Sequence, residues 1–207
     1  MNDYPLILFA KVPEPGKVKT RLAPELSFAE AAEVAKVLLF ETLELTSKHW
    51  PGKIVLAVWP NVKDDYIQNV NEQFNIELIA QSSGDLGAKM LNAMEQAGYP
   101  CTVMGCDVPH LEGMVLEQAY ERLAKGENII GPTEDGGYYL LGLQSNRPEL
   151  FAKQAWGETS VLGASLRVAR QHNFQFSELA TMVDIDHYAD LAQASQKLKS
   201  LRHFITS

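Results

Sequence analysis

Four polar segments of this 207-residue chain carry side chains able to do chemistry. The first is Lys11 to Arg21 (KVPEPGKVKTR), which gathers Lys11, Lys17, Lys19 and Arg21 with only Glu14 opposing them. Lysines supply point charges for phosphate oxygens, and an arginine fork grips one with two parallel hydrogen bonds. Pro13 and Pro15 stiffen the loop, while Gly16 permits a sharp turn or a close backbone approach. Walker A spacing is absent, so phosphate binding stands beside the plainer reading of a solvated basic loop.

The second segment is Gly105-Cys106-Asp107-Val108-Pro109. Asp107 at the end of an apolar run suits a turn or helix cap. It equally suits Mg²⁺, which takes one or two carboxylates plus substrate phosphates. The third, Gly131 to Tyr139 (GPTEDGGYY), reads in two ways. Asp135-Gly136-Gly137 makes a good hairpin turn. Its glycines could also bring backbone amides close to a ligand, beside Glu134 and Asp135 as candidate acid/base groups. In the fourth, Val183-Asp184-Ile185-Asp186, Asp186 is placed to cap the following helix, and strand alternation would put Asp184 on the same face. A capping role and a metal role are compatible for such a pair.

The elements that must position these groups alternate along the chain. Pro5 to Ala10 is apolar throughout, as a strand buried on both faces should be. Ser27-Phe28-Ala29-Glu30 reads as a capping box opening a helix to about Lys48. Strands are expected over 53–59, 76–80, 101–106, 128–131, 136–143 and 181–185, with 101–106 the most central. Helices are expected over 64–74, 87–96, 112–125, 159–171 and 187–201. The link between the strands at 128–131 and 136–143 is too short for a parallel crossover, so the sheet must be partly antiparallel. The fold class is α/β, a three-layer α/β/α sandwich with a mostly parallel mixed sheet, read as one domain. Open sheets of this class bind ligands beyond the carboxyl ends of their strands, where the polar segments lie.

Composition narrows the partners. A net charge of −8 argues against nucleic acid or an anionic membrane surface, whereas a local basic loop suits a small polyanion such as a nucleotide. Cys101 and Cys106 lack zinc or redox spacing and read as buried thiols. No apolar run approaches a membrane span, and the first residues lack the pattern of a signal peptide, so a cytoplasmic location is expected. Trp156, Tyr138 and Tyr139 are placed either to stack on a sugar face or to pack the core.

The ordered set KxPxPGxxKTRL (11–22), QxxGDLGxKM (81–90), GCDxPxL (105–111), GPxxDGGYYLLG (131–142) and VDID (183–186) resembles a bacterial family of small GT-A-fold nucleotide-diphospho-sugar transferases. That family is distantly similar to 2-phospholactate guanylyltransferase and the molybdenum-cofactor guanylyltransferases. The resemblance implies that Lys11, Gly16, Lys17, Lys19 and Arg21 hold nucleotide phosphates. Gln81, Asp85 and Gly87 would face base and ribose, and Asp107 and Asp186 would ligate Mg²⁺ or Mn²⁺. The expected substrates are a nucleotide or NDP-sugar and a small acceptor, with no nucleic acid and no membrane span. Two departures stand out: one Gly16 replaces the GGxxxR loop of nucleotidyltransferases, and Pro109 occupies the third position of the DxD of GT-A glycosyltransferases.

Overall fold

The computed structural model describes residues 3–152, 156 and 160–205. Seven strands form one sheet: β1 (Leu6–Lys11), β2 (Ile54–Trp59), β3 (Glu77–Ala80), β4 (Cys101–Gly105), β5 (Asn128–Pro132), β6 (Tyr138–Leu143) and β7 (Phe176–Glu178). Their order across the sheet is β3-β2-β1-β4-β6-β5-β7, which places β4 in the centre. β6 runs antiparallel to both of its neighbours, and the other pairings are parallel. The mixed α/β sheet expected from the short link between β5 and β6 is therefore the one formed.

Helices cover both faces: α1 (Phe28–His49), α2 (Asp65–Phe74) and α4 (Gly113–Ala124) on one, α3 (Leu86–Ala97) and α5 (Val161–Gln171) on the other. Strand alternation divides the core accordingly. Leu6, Leu8 and Ala10 of β1 pack with Leu39, Leu43 and Leu116, whereas Ile7 packs with Met90, Ala93 and Met94. The capping box forms as expected: the Glu30 amide donates to Ser27 Oγ at 3.2 Å, and the Ser27 amide donates to Glu30 Oε2 at 2.8 Å.

A third cluster joins the chain's two ends. Ala31, Val34 and Leu38 of α1 pack against Leu22 and Leu26 from the basic loop, and against Ile185 and Leu191. Leu191 belongs to α6 (Tyr188–Lys197), which a 3₁₀ segment follows. The basic loop and the VDID segment are thereby held side by side. No helix is long and apolar enough to cross a membrane.

Two expectations are corrected. Residues 181–185 form no strand; the edge strand is β7, and 182 makes only an isolated bridge to 133. Pairing passes from Ile130–Glu178 to Thr133–Met182, so four residues of one chain segment face three of the other and the ladder breaks. Asp186 does not cap the last helix. His187 is the N-cap, and Asp190 Oδ2 accepts from the His187 amide at 2.7 Å. The expected helix 159–171 begins at Val161 in the structure, and Thr159 lies outside the described residues.

Candidate active site

The sheet's strand order reverses direction between β1 and β4, which makes a crevice at their carboxyl ends. The 11–24 loop leaves β1 there, and Asp107 follows β4. Because β6 is antiparallel, its start, preceded by Asp135, arrives at the same edge. The Ile185 amide donates to Asp107 O at 3.0 Å, tying the VDID segment to the end of β4. Segments more than a hundred residues apart in sequence thus meet.

Two adjoining cavities open at this edge. One, of about 530 Å³, is lined by Lys11, Lys17, Lys19 and Arg21, with Gln81, Asp107, Asp135 and Asp186. The other, of about 230 Å³, is mostly apolar and is lined by Met90, Tyr138, Tyr139 and Trp156, with Asp184 in its wall. Phe9, Leu86, Gly105 and Asp135 line both.

Lys19 is the buried centre of the basic side. Its side chain is 9% exposed, and Nζ donates to Ile185 O at 2.6 Å, Asp107 Oδ1 at 2.7 Å and Asp186 Oδ1 at 3.2 Å. Arg21 Nη1 donates to the other Asp186 oxygen at 2.7 Å. Burial alone would lower the Lys19 pKa, but Asp107 and Asp186 more than offset it, and the pKa is raised. Lys11 and Lys17 form no ion pair with the described residues. The loop therefore splits into cations bound to carboxylates and cations that pair with none among the described residues.

Asp135 Oδ1 accepts from Thr133 Oγ1 at 2.5 Å and from the Gly137 amide at 3.0 Å. The Gly136 amide donates to Thr133 O, and Gly136 has φ +88°. Both glycine amides are consumed by the turn, so the hairpin reading accounts for them. Glu134 is exposed and lines neither cavity. Asp184 is half-buried, and its Oδ1 is buried with no hydrogen-bond partner among the described residues. Burial raises its pKa to about 7, with Asp107, Asp135 and Asp186 adding repulsion and Lys19 opposing. It lines the apolar cavity and Asp186 the basic one, so the two do not share a face as alternation would have it. The sequence paired Asp184 with Asp186 through the doubled Asp of VDID, but did not show its place in the wall of the apolar cavity.

The remaining expected contacts serve the scaffold. Gln81 Nε2 donates to Ala10 O at 3.1 Å and Ala57 O at 2.9 Å, stapling the ends of β1 and β2 beside the cavity. Asp85 caps α3 by accepting from the Ala88 amide. At Gly87 a Cβ would come within 2.6 Å of the Trp156 ring, so glycine there makes room for the indole. Gly16 has φ +74°, a turn conformation, and lines neither cavity.

Among the described residues no three His, Cys, Asp or Glu side chains stand close enough together to enclose a metal ion. Mg²⁺ needs fewer: one or two carboxylates, with substrate phosphates and water completing its shell. Asp107 Oδ1, Asp186 Oδ1 and Ile185 O converge on one point as an all-oxygen set, which fits a hard cation.

The family model described as an uncharacterized protein conserved in bacteria (DUF2064) matches residues 42–158. The chain belongs to that family. The matched stretch contains Gln81, Asp107 and Asp135, while the basic loop and Asp186 lie outside it. Among solved structures, the chain is similar to a "putative nucleotide-diphospho-sugar transferase" from Desulfovibrio desulfuricans G20, at 25% identity over 100% of both chains and a TM-score of 0.78. It shares its fold with 4-diphosphocytidyl-2C-methyl-D-erythritol synthase from Anaerococcus prevotii DSM 20548 (11% identity, 95% of this chain and 96% of that one, TM-score 0.60). It also shares the fold of Rv0371C from Mycobacterium tuberculosis H37Rv in complex with manganese (13% identity, 96% and 100% covered, TM-score 0.58). No curated protein matches the chain.

Proposed function

We propose that this chain is a transferase that moves a sugar from a nucleotide-diphospho-sugar to a small hydroxylated acceptor. The observation that carries this reading is the meeting of a basic cavity and an apolar, aromatic cavity at Asp135. Lys11 and Lys17, the loop lysines that pair with no carboxylate among the described residues, match the two phosphates of a nucleoside diphosphate. The chamber beside Tyr138, Tyr139 and Trp156 offers flat apolar faces against which an acceptor or sugar ring can lie. The 25%-identical relative from Desulfovibrio desulfuricans G20 bears a name of the same chemistry, a nucleotide-diphospho-sugar transferase.

Asp107 and Asp186 would hold Mg²⁺ or Mn²⁺. When bound, that ion neutralises the charge that develops on the departing diphosphate. The chain's own residues do the rest. Lys11 and Lys17 bind the diphosphate, Gln81 keeps the strand ends that carry the loop in place, and the aromatic walls orient the ring and exclude water. Asp135 spends Oδ1 on its turn, leaving Oδ2 to take the acceptor's hydroxyl proton. The acceptor oxygen attacks the anomeric carbon, the bond from that carbon to the phosphate oxygen breaks, and the nucleoside diphosphate leaves.

Phosphorus NMR of the chain with Mn²⁺ or Mg²⁺ and a panel of NDP-sugars tests this. Nucleoside diphosphate should appear slowly even without acceptor, as water substitutes, and no pyrophosphate should form. Asp135→Asn should slow turnover by about 10²-fold or more with nucleotide affinity nearly unchanged. Pyrophosphate released from a nucleoside triphosphate and a phosphorylated acceptor would overturn sugar transfer in favour of nucleotidyl transfer.

A further inference from the structure

Lys19 differs from the other cations of its loop in how completely it is used. An ammonium has three protons, and here three oxygens receive them: Ile185 O, Asp107 Oδ1 and Asp186 Oδ1. None is left for a phosphate. The backbone holds the side chain to this task. Lys19 has φ 46° and ψ 37°, a left-handed conformation that non-glycine residues rarely adopt. Leu22, fully buried against α1, anchors the turn just beyond it.

The same three oxygens form the hard-cation site of the proposed function. A divalent ion taking Asp107 Oδ1 and Asp186 Oδ1 at about 2.1 Å would lie in the space that Nζ fills. Two positive centres cannot share it, because both need the same carboxylate oxygens and the same volume, and they repel each other. We propose that Lys19 is a tethered cation that closes the Asp107–Asp186 pair in the unliganded chain and is expelled when a divalent ion binds. Lys19 already lines the basic cavity, so the expelled ammonium turns into the space assigned to the phosphates. Metal arrival then supplies a third lysine to the diphosphate, coupling the two ligands. Arg21, on the outer oxygen of Asp186, keeps that carboxylate oriented during the exchange.

This inference rests on the metal reading of Asp107 and Asp186, and Mn²⁺ alone, titrated into the nucleotide-free full chain and followed by EPR of free Mn²⁺, separates the two. Lys19→Met should bind Mn²⁺ roughly tenfold or more tightly than the wild type, since the competing cation is gone. Lys19→Asn serves as a second variant: it tolerates the left-handed backbone and is too short to span the carboxylates. Both should melt below the wild type without metal and recover with Mn²⁺. In the wild type labelled with ¹⁵N-lysine, one slowly exchanging Nζ signal should vanish as Mg²⁺ is added. Unchanged or weaker Mn²⁺ binding in the variants, or an Nζ signal that survives saturating Mg²⁺, overturns the exchange. If Asp107→Asn still abolishes wild-type Mn²⁺ binding in that event, the metal reading stands alone. Mn²⁺ binding that ignores Asp107 sinks both.

Discussion

Asp184 stands in an apolar wall with one oxygen unpartnered and three further carboxylates nearby. Its pKa of about 7 in the fold compares with 3.8 for a free aspartate side chain. Between those values the native chain holds a proton that the unfolded chain has released. Stability therefore falls as pH rises through that window, and the loss is complete above it. In metal-free buffer, Asp184→Asn should melt above the wild type near pH 8, and the gap should close as pH is lowered toward about 4. A gap that stays constant with pH would show that Asp184 is not protonated in the fold. The same scale explains which site groups could be read in advance. Residue type and position after a strand pointed to Asp107, Asp135 and the basic loop. The cavity that each lines, which separates Asp184 from Asp186, cannot be read from two aspartates one residue apart in a motif.

Among the elements, β6 makes the site possible, because its reversed direction delivers Asp135 to the strand ends where Asp107 sits. It fits between β4 and β5 by means of Gly142. A Cβ there would come within 2.4 Å of Ile129 Cγ1 and 2.9 Å of Thr102 Oγ1. Gly142→Ala should lower stability by about 1–3 kcal/mol, read from the denaturant midpoint at unchanged slope. Gly105 is the contrast: nothing lies within 4 Å of an added Cβ, and it lines both cavities. Gly105→Ala should leave stability within about 0.5 kcal/mol while narrowing the junction and weakening ligand binding. Equal stability losses for the two variants would contradict this packing account. The antiparallel turn was legible because a link of five residues cannot hold a crossover helix. β7 was not legible: three residues at a sheet edge have too little pattern, whereas the more regular 181–185 stretch loses its partner where the ladder breaks.

Over the whole molecule, a net charge of −8 surrounds a cavity lined by lysines and an arginine. Such a surface should repel long polyanions, while the cavity should still attract a small one. The chain should pass through heparin at about 0.15 M salt, while nucleoside diphosphate binding, measured by calorimetry, should weaken as salt rises. Retention on heparin would mean that the basic surface extends well beyond the cavity.

The capping box, the mixed sheet, the edge where polar groups gather and the strands and helices other than the edge strand β7 were legible in the sequence. Each follows from interactions between residues near in sequence, or from the alternation that burial on two faces imposes. The pairing of Lys19 with Asp186, 167 residues apart, was decided only by the tertiary structure. Lys17, Lys19 and Arg21 are equivalent by composition. They part company because the chain turns left-handed at Lys19, and because α1 packs Leu22 and Ile185 into one cluster. Which cation meets a carboxylate and which does not depends on that packing, and packing is set by the whole sheet.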